Sequence, residues 1–151
     1  MLFVTFKAAG ARYVVPAREV EEVAPLVQLS PLAGAPPTVA GLMNYRGRSL
    51  PVADASLLLS GKASRHWAST RILVARVPDG REGSLLIGLL AERLLKTLDI
   101  PAQDVADPAA PAAPFVTGVA AVGDELVQVL DLARMLPPEL LERLRAAREA
   151  A

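Results

Sequence analysis

A glycine and an aspartate stand thirteen positions apart twice in this chain, at Gly41 and Asp54 (54 − 41) and again at Gly118 and Asp131 (131 − 118). The second pair follows the first by 77 positions (118 − 41), and the intervening stretches "LMNYRGRSLPVA" and "VAAVGDELVQVL" share one plan. Each has an internal glycine, Gly47 or Gly123, followed by alternating apolar residues, and each aspartate opens a short apolar segment, "ASLLL" or "LARML". Upstream, residues 2–6 (LFVTF) and 12–16 (RYVVP) read as strands joined by Ala8-Ala9-Gly10-Ala11. Residues 71–77 (RILVARV) and 84–90 (SLLIGLL) repeat that hairpin around Pro78-Asp79-Gly80, a strong turn signature. Each second strand runs into a short mixed segment, "AREVEEV" from Ala17 or "AERLLKTL" from Ala91, 74 positions apart (91 − 17). One order of elements met twice predicts an internal duplication.

Short strands punctuated by Gly and Pro favour small closed barrels, and the helix-length segments are too few and too short for the crossovers of a parallel sheet. Closure would also remove the edges that short strands offer to other chains. The expected fold is therefore mainly β: two barrel subdomains related by pseudo-duplication, with short helices and a C-terminal helix. Residues 1–151 form one domain in this reading. The first barrel spans about 15–65 with contributions from the termini, the second about 66–136, and the helix 138–150. Connectors fall at 29–37, 60–66 and the proline- and alanine-rich 101–114. In the final helix Leu140, Leu141 and Leu144 share a face, and Glu139 is placed to pair with Arg143. Trp67 is expected as a partial plug between the halves, and "EVEEV" (19–23) as a solvated edge with Val20 and Val23 pointing inward.

Composition narrows the function. Apolar residues make up 52% of 151, enough for a sizeable core, while 16 basic and 16 acidic residues leave no charge footprint for nucleic acid or an anionic membrane. Without cysteine there are no disulfides, thiolate metal sites or thiol nucleophiles. "MLFVTFKAAG" lacks the basic start and apolar run of a signal peptide, and no apolar run reaches 18 residues. A cytoplasmic protein without direct membrane insertion is the expectation.

Catalytic chemistry finds no footing. His66, the sole histidine, lies in a polar linker, which is poor support for a base, and one histidine without cysteine does not make a zinc site. Asp54 and Asp131 precede short helices, where an aspartate accepts orphan backbone N–H groups, so they read as caps and not as an acid–base pair. Gly41, Gly47, Gly118 and Gly123 form neither GxGxxG nor a P-loop and suit turns or close backbone approach. Tyr45 and Trp67 lack the interleaved basic residues of a single-strand binder. No catalytic residue, metal or cofactor is assigned, and the chain reads as a non-enzyme.

"VAGLMNYRGRSLPVADASLLL" (39–59) resembles the CheW family signature, in which Gly, Asn-Leu-Arg-Gly, an apolar stretch with Pro, and Asp-Leu recur; Gly41, Asn44, Arg46, Gly47, Pro51 and Asp54 fit it. "LIGLLAERL" and "FVTGVAAVGDELVQVLDLARML" are similar to the family's second half, so the resemblance runs from Phe3 to Leu136. Tyr45 and Ala55 stand where Leu is usual, and Glu92 where Asp is usual. The resemblance implies two five-stranded, SH3-like barrels in a free-standing adaptor. Its implied task is coupling the cytoplasmic hairpin of chemoreceptors to a CheA-type histidine kinase, from the cytoplasm but recruited to membrane receptor arrays. It further implies receptor contacts at Val20, Leu42, Arg46 and Leu50, and kinase contacts at Glu22, Asn44 and Tyr45. Arg46 would either hold a partner's carboxylates or carbonyls, or clamp its own turn to another loop's carbonyls. Two other functions stay open: an adaptor of a surface-sensing, pilus or second-messenger pathway, and an SH3-like module for RNA or proline-rich peptide.

Overall fold

A computed structural model describes residues 1–66, 68–78, 83–109 and 113–143. Among the described residues ten strands follow in chain order: β1 (Leu2–Ala8), β2 (Ala11–Pro16), β3 (Val20–Pro25), β4 (Val39–Tyr45), β5 (Arg48–Asp54), β6 (Arg71–Pro78), β7 (Ser84–Ala91), β8 (Arg93–Asp99), β9 (Val116–Val122) and β10 (Glu125–Leu130). Two short helices, α1 (Ala55–Ser60) and α2 (Leu132–Met135), follow β5 and β10, and residues 138–143 are helical. Among the described residues no helix is long and apolar enough to cross a membrane.

The strands form two five-stranded sheets, β8-β1-β2-β10-β9 and β3-β6-β7-β5-β4. Exchanging β1, β2, β3, β4 and β5 with β6, β7, β8, β9 and β10 respectively turns one order into the other. The duplication is thus real at the level of topology, but its halves are interleaved. The first hairpin, β1–β2, joins the sheet of the second half through parallel pairing of Val129 with Val14. Likewise β6–β7 joins the sheet of the first half through Val52 and Gly88. The boundary drawn near 65/66 is therefore corrected. Each sheet takes two strands from across it, because a hairpin supplies its own local pairing and leaves its outer edges open to whichever strand meets them. The pairings define an order with two ends in each sheet, and closure into barrels is not among them.

Two segments read as mixed are strands. Residues 17–19 make a 3-10 turn before β3, and β8 follows directly on β7 after Glu92. Both are sheet edges, where outward charges hide the alternation. In β3 a bulge between Val20 and Glu22 shifts the register, so Ala24 is buried while Val23 lies exposed, against the expectation for Val23.

Burial explains the two most apolar strands. In β6, Leu73 and Ala75 face a core shared by both sheets, while Ile72 and Val74 face a second core inside their own sheet. Strands covered on both sides need apolar residues at every position, which is what "ILVA" (72–75) and "LLIGLLA" (85–91) supply. The shared core also takes Phe6 and Val15 from β1 and β2, Leu132 and Met135 from α2, and Leu140 beyond it. Arg143 donates to the Gly34 carbonyl at 2.7 Å, in place of the expected partner Glu139. Trp67, Asp79, Gly80, Leu144 and the rest of the stretch 144–150, expected as helix, lie outside the described residues.

Candidate functional site: a seam cleft and a charged turn

The β4–β5 turn is two residues long, since Tyr45 pairs with Arg48. Arg46 and Gly47 both have positive φ, 51° and 79°, the pattern of a type I′ turn whose twist matches the strands it joins. A glycine would suit the first position better, because an L side chain there costs roughly 1–2 kcal/mol. Turn geometry therefore does not explain Arg46; its side chain must. Asn44 secures the turn by accepting the Gly47 N–H on Oδ1 at 3.0 Å.

The Arg46 side chain is 71% exposed and contacts β3. Its Nη2 donates to Glu22 Oε2 at 3.2 Å, and the guanidinium carbon lies 5.1 Å from the centre of the Tyr45 ring, within cation–π range. The Tyr45 hydroxyl donates to the same carboxylate oxygen at 2.6 Å, the short distance of a charge-assisted bond. That bond, followed by burial, pushes the Tyr45 phenol above its usual range. Next along β3, Glu21 pairs with Arg76 at 2.7 Å, and this hydrogen bond holds its carboxyl below the usual carboxylate range. Within the chain Arg46 is thus tied to a carboxylate on the opposite edge of its sheet, where the clamp alternative names another loop's carbonyls.

Arg76 also lines a cleft of about 600 Å³ where the two sheets meet. Pro16 from β2, Val77 and Pro78 from β6, and Val129 and Leu130 from β10 give it apolar walls, with Ala133 of α2 at one side. Arg18, Glu19, Arg76 and Asp131 supply charge. Burial, reinforced by the nearby Asp131 charge and opposed by Arg18, raises the Glu19 carboxyl above the usual range. A raised folded-state value means that the stability tied to this group is complete below its unfolded value and lost as pH rises through the folded one. Glu19→Gln is therefore expected to melt at higher temperature than the parent chain near pH 7. The gain is under about 1 kcal/mol, as screening limits a partly exposed charge, and it fades as pH falls towards 4. Thermal melts across that range check it; a less stable Gln variant at pH 7 would contradict the assignment.

The expected site residues separate on inspection. Glu22, Asn44, Tyr45 and Arg46 come together at the turn. Val20 is half-buried against the shared core. Leu42 is half-buried opposite Pro51, on one face of the β4–β5 hairpin. Leu50 is corrected: it pairs with Met43, is 3% exposed and belongs to the inner core, so it lines no groove. The cleft walls were missed because they are ordinary strand ends contributed by both halves.

The caps behave as expected and do more. Asp54 accepts the Leu57 N–H at 3.2 Å, and also the Ser64 hydroxyl and N–H at 2.5 and 2.9 Å, so it ties the linker to α1. His66 lines a separate cavity with Asp54 and Ser64, but the serine proton is already given directly to the carboxylate. Asp131 accepts the Arg134 N–H at 3.3 Å. Gly118 has a neighbour 2.5 Å from where a Cβ would stand, Val105 Cγ1, while Gly123 turns β9 into β10 with a φ of 59°. Among the described residues no group of three or more His, Cys, Asp or Glu is placed to hold a metal ion.

Comparison with known proteins decides the family. The CheW-like domain model matches residues 2–139. The chain belongs to the CheW-like domain family. Protein FrzA of Myxococcus xanthus is 31% identical over 139 residues, covering 89% of this chain and 84% of that protein. Chemotaxis protein CheW of Rhizobium meliloti (strain 1021) is 26% identical over 140 residues, covering 90% and 87%. In structure the CheW-like chain is similar to the scaffolding protein TtCheW from Thermoanaerobacter tengcongensis, with a TM-score of 0.79 at 20% identity over 90% of this chain and 87% of that one. The CheW family is one of scaffolds and adaptors in chemotaxis signalling, which gives the coarse role of this CheW-like chain.

Proposed function

We infer that the chain couples the cytoplasmic hairpin of a chemoreceptor to a CheA-type histidine kinase, and that it does so by binding alone. The observation that carries this is the continuity of cleft and turn. Arg76 lines the apolar seam and pairs with Glu21, next to Glu22, which in turn holds Arg46. An apolar trough with a charged, forked rim suits an amphipathic helical partner: its apolar face enters the trough and its polar flank meets the guanidinium. The receptor hairpin takes the cleft and reaches Arg46 past the Arg76–Glu21 pair, while Val20 and Leu42 remain receptor contacts that the family resemblance implies. The kinase's regulatory domain takes the outer side of the turn, around Asn44 and Glu22. The protein works in the cytoplasm at receptor arrays and needs neither cofactor nor nucleic acid.

Arg46→Ala is expected to change stability by less than about 1 kcal/mol, because the Glu22 pair is exposed. It should weaken binding of a soluble receptor-hairpin fragment by about 1.5–3 kcal/mol, the range for a hydrogen bond to a charged group. The affinity of the kinase regulatory domain should change little, and Arg46→Lys should restore only part of the loss, since an ammonium lacks the planar fork. A melt and two titrations check this. Unchanged receptor affinity in a folded Arg46→Ala protein rules out the contact.

A further inference from the structure

Strands β3 and β4 are the two opposite edges of one sheet, with β6, β7 and β5 between them. Laid flat, those edges would stand roughly 19 Å apart, four strand spacings of about 4.8 Å. Yet Tyr45, the last residue of β4, reaches Glu22 of β3 with a hydroxyl bond of 2.6 Å. The sheet curls until side chains join its edges, around an interior that takes Ala24, Met43, Val52, Ile72 and Leu90 from all five strands. The other sheet has the same strand order without the matching residues. At the offsets of the repeat, Glu22 corresponds to Lys96 (22 + 74) and Tyr45 to Val122 (45 + 77). The duplicated fold therefore does not require this join.

We propose that Tyr45 is a positioning residue for recognition at the turn: its hydroxyl clasps the two sheet edges through Glu22, and its ring carries the Arg46 guanidinium, so that the fork faces outward in one orientation towards an acidic or carbonyl-bearing partner group. The proposal rests on the adaptor function inferred above. Tyr45 is 6% exposed and packed in the inner core, so its ring is a fixed floor. Arg46 lies over that floor and shares Glu22 Oε2 with the phenol. An arginine at the tip of a two-residue turn otherwise has large rotamer freedom, which a partner must remove on binding. Fixing the carboxylate first, and the guanidinium through it, lowers that ordering cost before the partner arrives. Arg46 spends a single Nη on Glu22, which leaves the rest of the fork turned to solvent.

The test uses the full chain with Tyr45→Phe, which keeps the ring and removes the hydroxyl, and Glu22→Gln, which leaves Tyr45 in place. Three quantities are read: the heteronuclear NOE of the Arg46 Nε–H group, the ultraviolet titration of the two tyrosines, and affinity for a soluble chemoreceptor cytoplasmic-hairpin fragment. In Tyr45→Phe the Arg46 NOE should fall, and the hairpin fragment should bind about threefold to tenfold more weakly, the range for one hydrogen bond. In Glu22→Gln one of the two phenols should titrate at lower pH, and its absence from Tyr45→Phe assigns it to Tyr45. An Arg46 NOE unchanged in both variants overturns the proposal. So does a fallen NOE with undiminished binding. If the parent chain binds no hairpin fragment, the adaptor function fails, while the NOE and the titration still decide whether Tyr45 holds Arg46. Should Tyr45→Phe fail to fold, Glu22→Gln reads the same clasp from its other end.

Discussion

Gly41→Ala is expected to destabilise the protein by about 2–4 kcal/mol, combining backbone strain with a steric clash. Gly41 has a φ of 151°, and a Cβ there would stand 2.7 Å from the Ser30 carbonyl oxygen. That oxygen accepts the Leu42 N–H at 2.7 Å, while Ser30 N–H bonds back to the Leu42 carbonyl at 2.8 Å, so the clashing group is itself pinned to the strand. The corresponding bridge in the other sheet joins Ala106 to Val119, beside Gly118. There the obstacle is chiefly the Val105 side chain, and φ is not in the positive region. Gly118→Ala should therefore cost less, about 1–3 kcal/mol from overpacking alone. Urea unfolding of both variants checks the order. Equal costs, or a Gly41→Ala protein as stable as the parent, would contradict the pinned-loop explanation of the repeated glycine.

Leu50→Ala is expected to cost about 2–5 kcal/mol, as for a leucine truncated inside a packed core. Leu50 is 3% exposed and packs with Met43, Tyr45, Val52 and Ile72. Binding of both partners should then fall together, in step with the folded fraction. Leu42→Ala, on a half-buried side chain, should cost less. Combined melts and titrations separate the possibilities. A Leu50→Ala protein of parental stability that loses only the receptor would return Leu50 to the groove.

The same residue shows where sequence reading stops. Once Arg46-Gly47 is taken as the turn, Tyr45 pairs with Arg48 and Leu50 must face Met43, on the side opposite Leu42. The length of that turn alone sets the parity of every residue along β5. The two capping aspartates were legible because their chemistry is local, and Gly41 and Gly118 because a close approach admits no Cβ whatever segment makes it. The exchange of hairpins was not, since β7 and β2 present similar apolar edges and nothing within either hairpin names its parallel partner. For the same reason the cleft was invisible: Pro16, Val77 and Leu130 lie far apart in the chain and meet only because the hairpins cross over. Glu22 and Arg46 were marked by resemblance, but their contact depends on a sheet curled enough to bring its edges together. Val23 was misplaced by a single bulged residue, Glu21, which period-two alternation does not anticipate.

The most direct test of the adaptor function is the rate of kinase autophosphorylation in vesicles that carry a chemoreceptor and a CheA-type kinase, with and without this chain. The expected result is a kinase whose activity changes when the chain is added, and answers receptor ligand only in its presence. The chain alone, or with the kinase but no receptor, should reproduce neither effect and should turn over no ATP. Receptor control of the kinase that is the same with and without the folded chain would contradict the account.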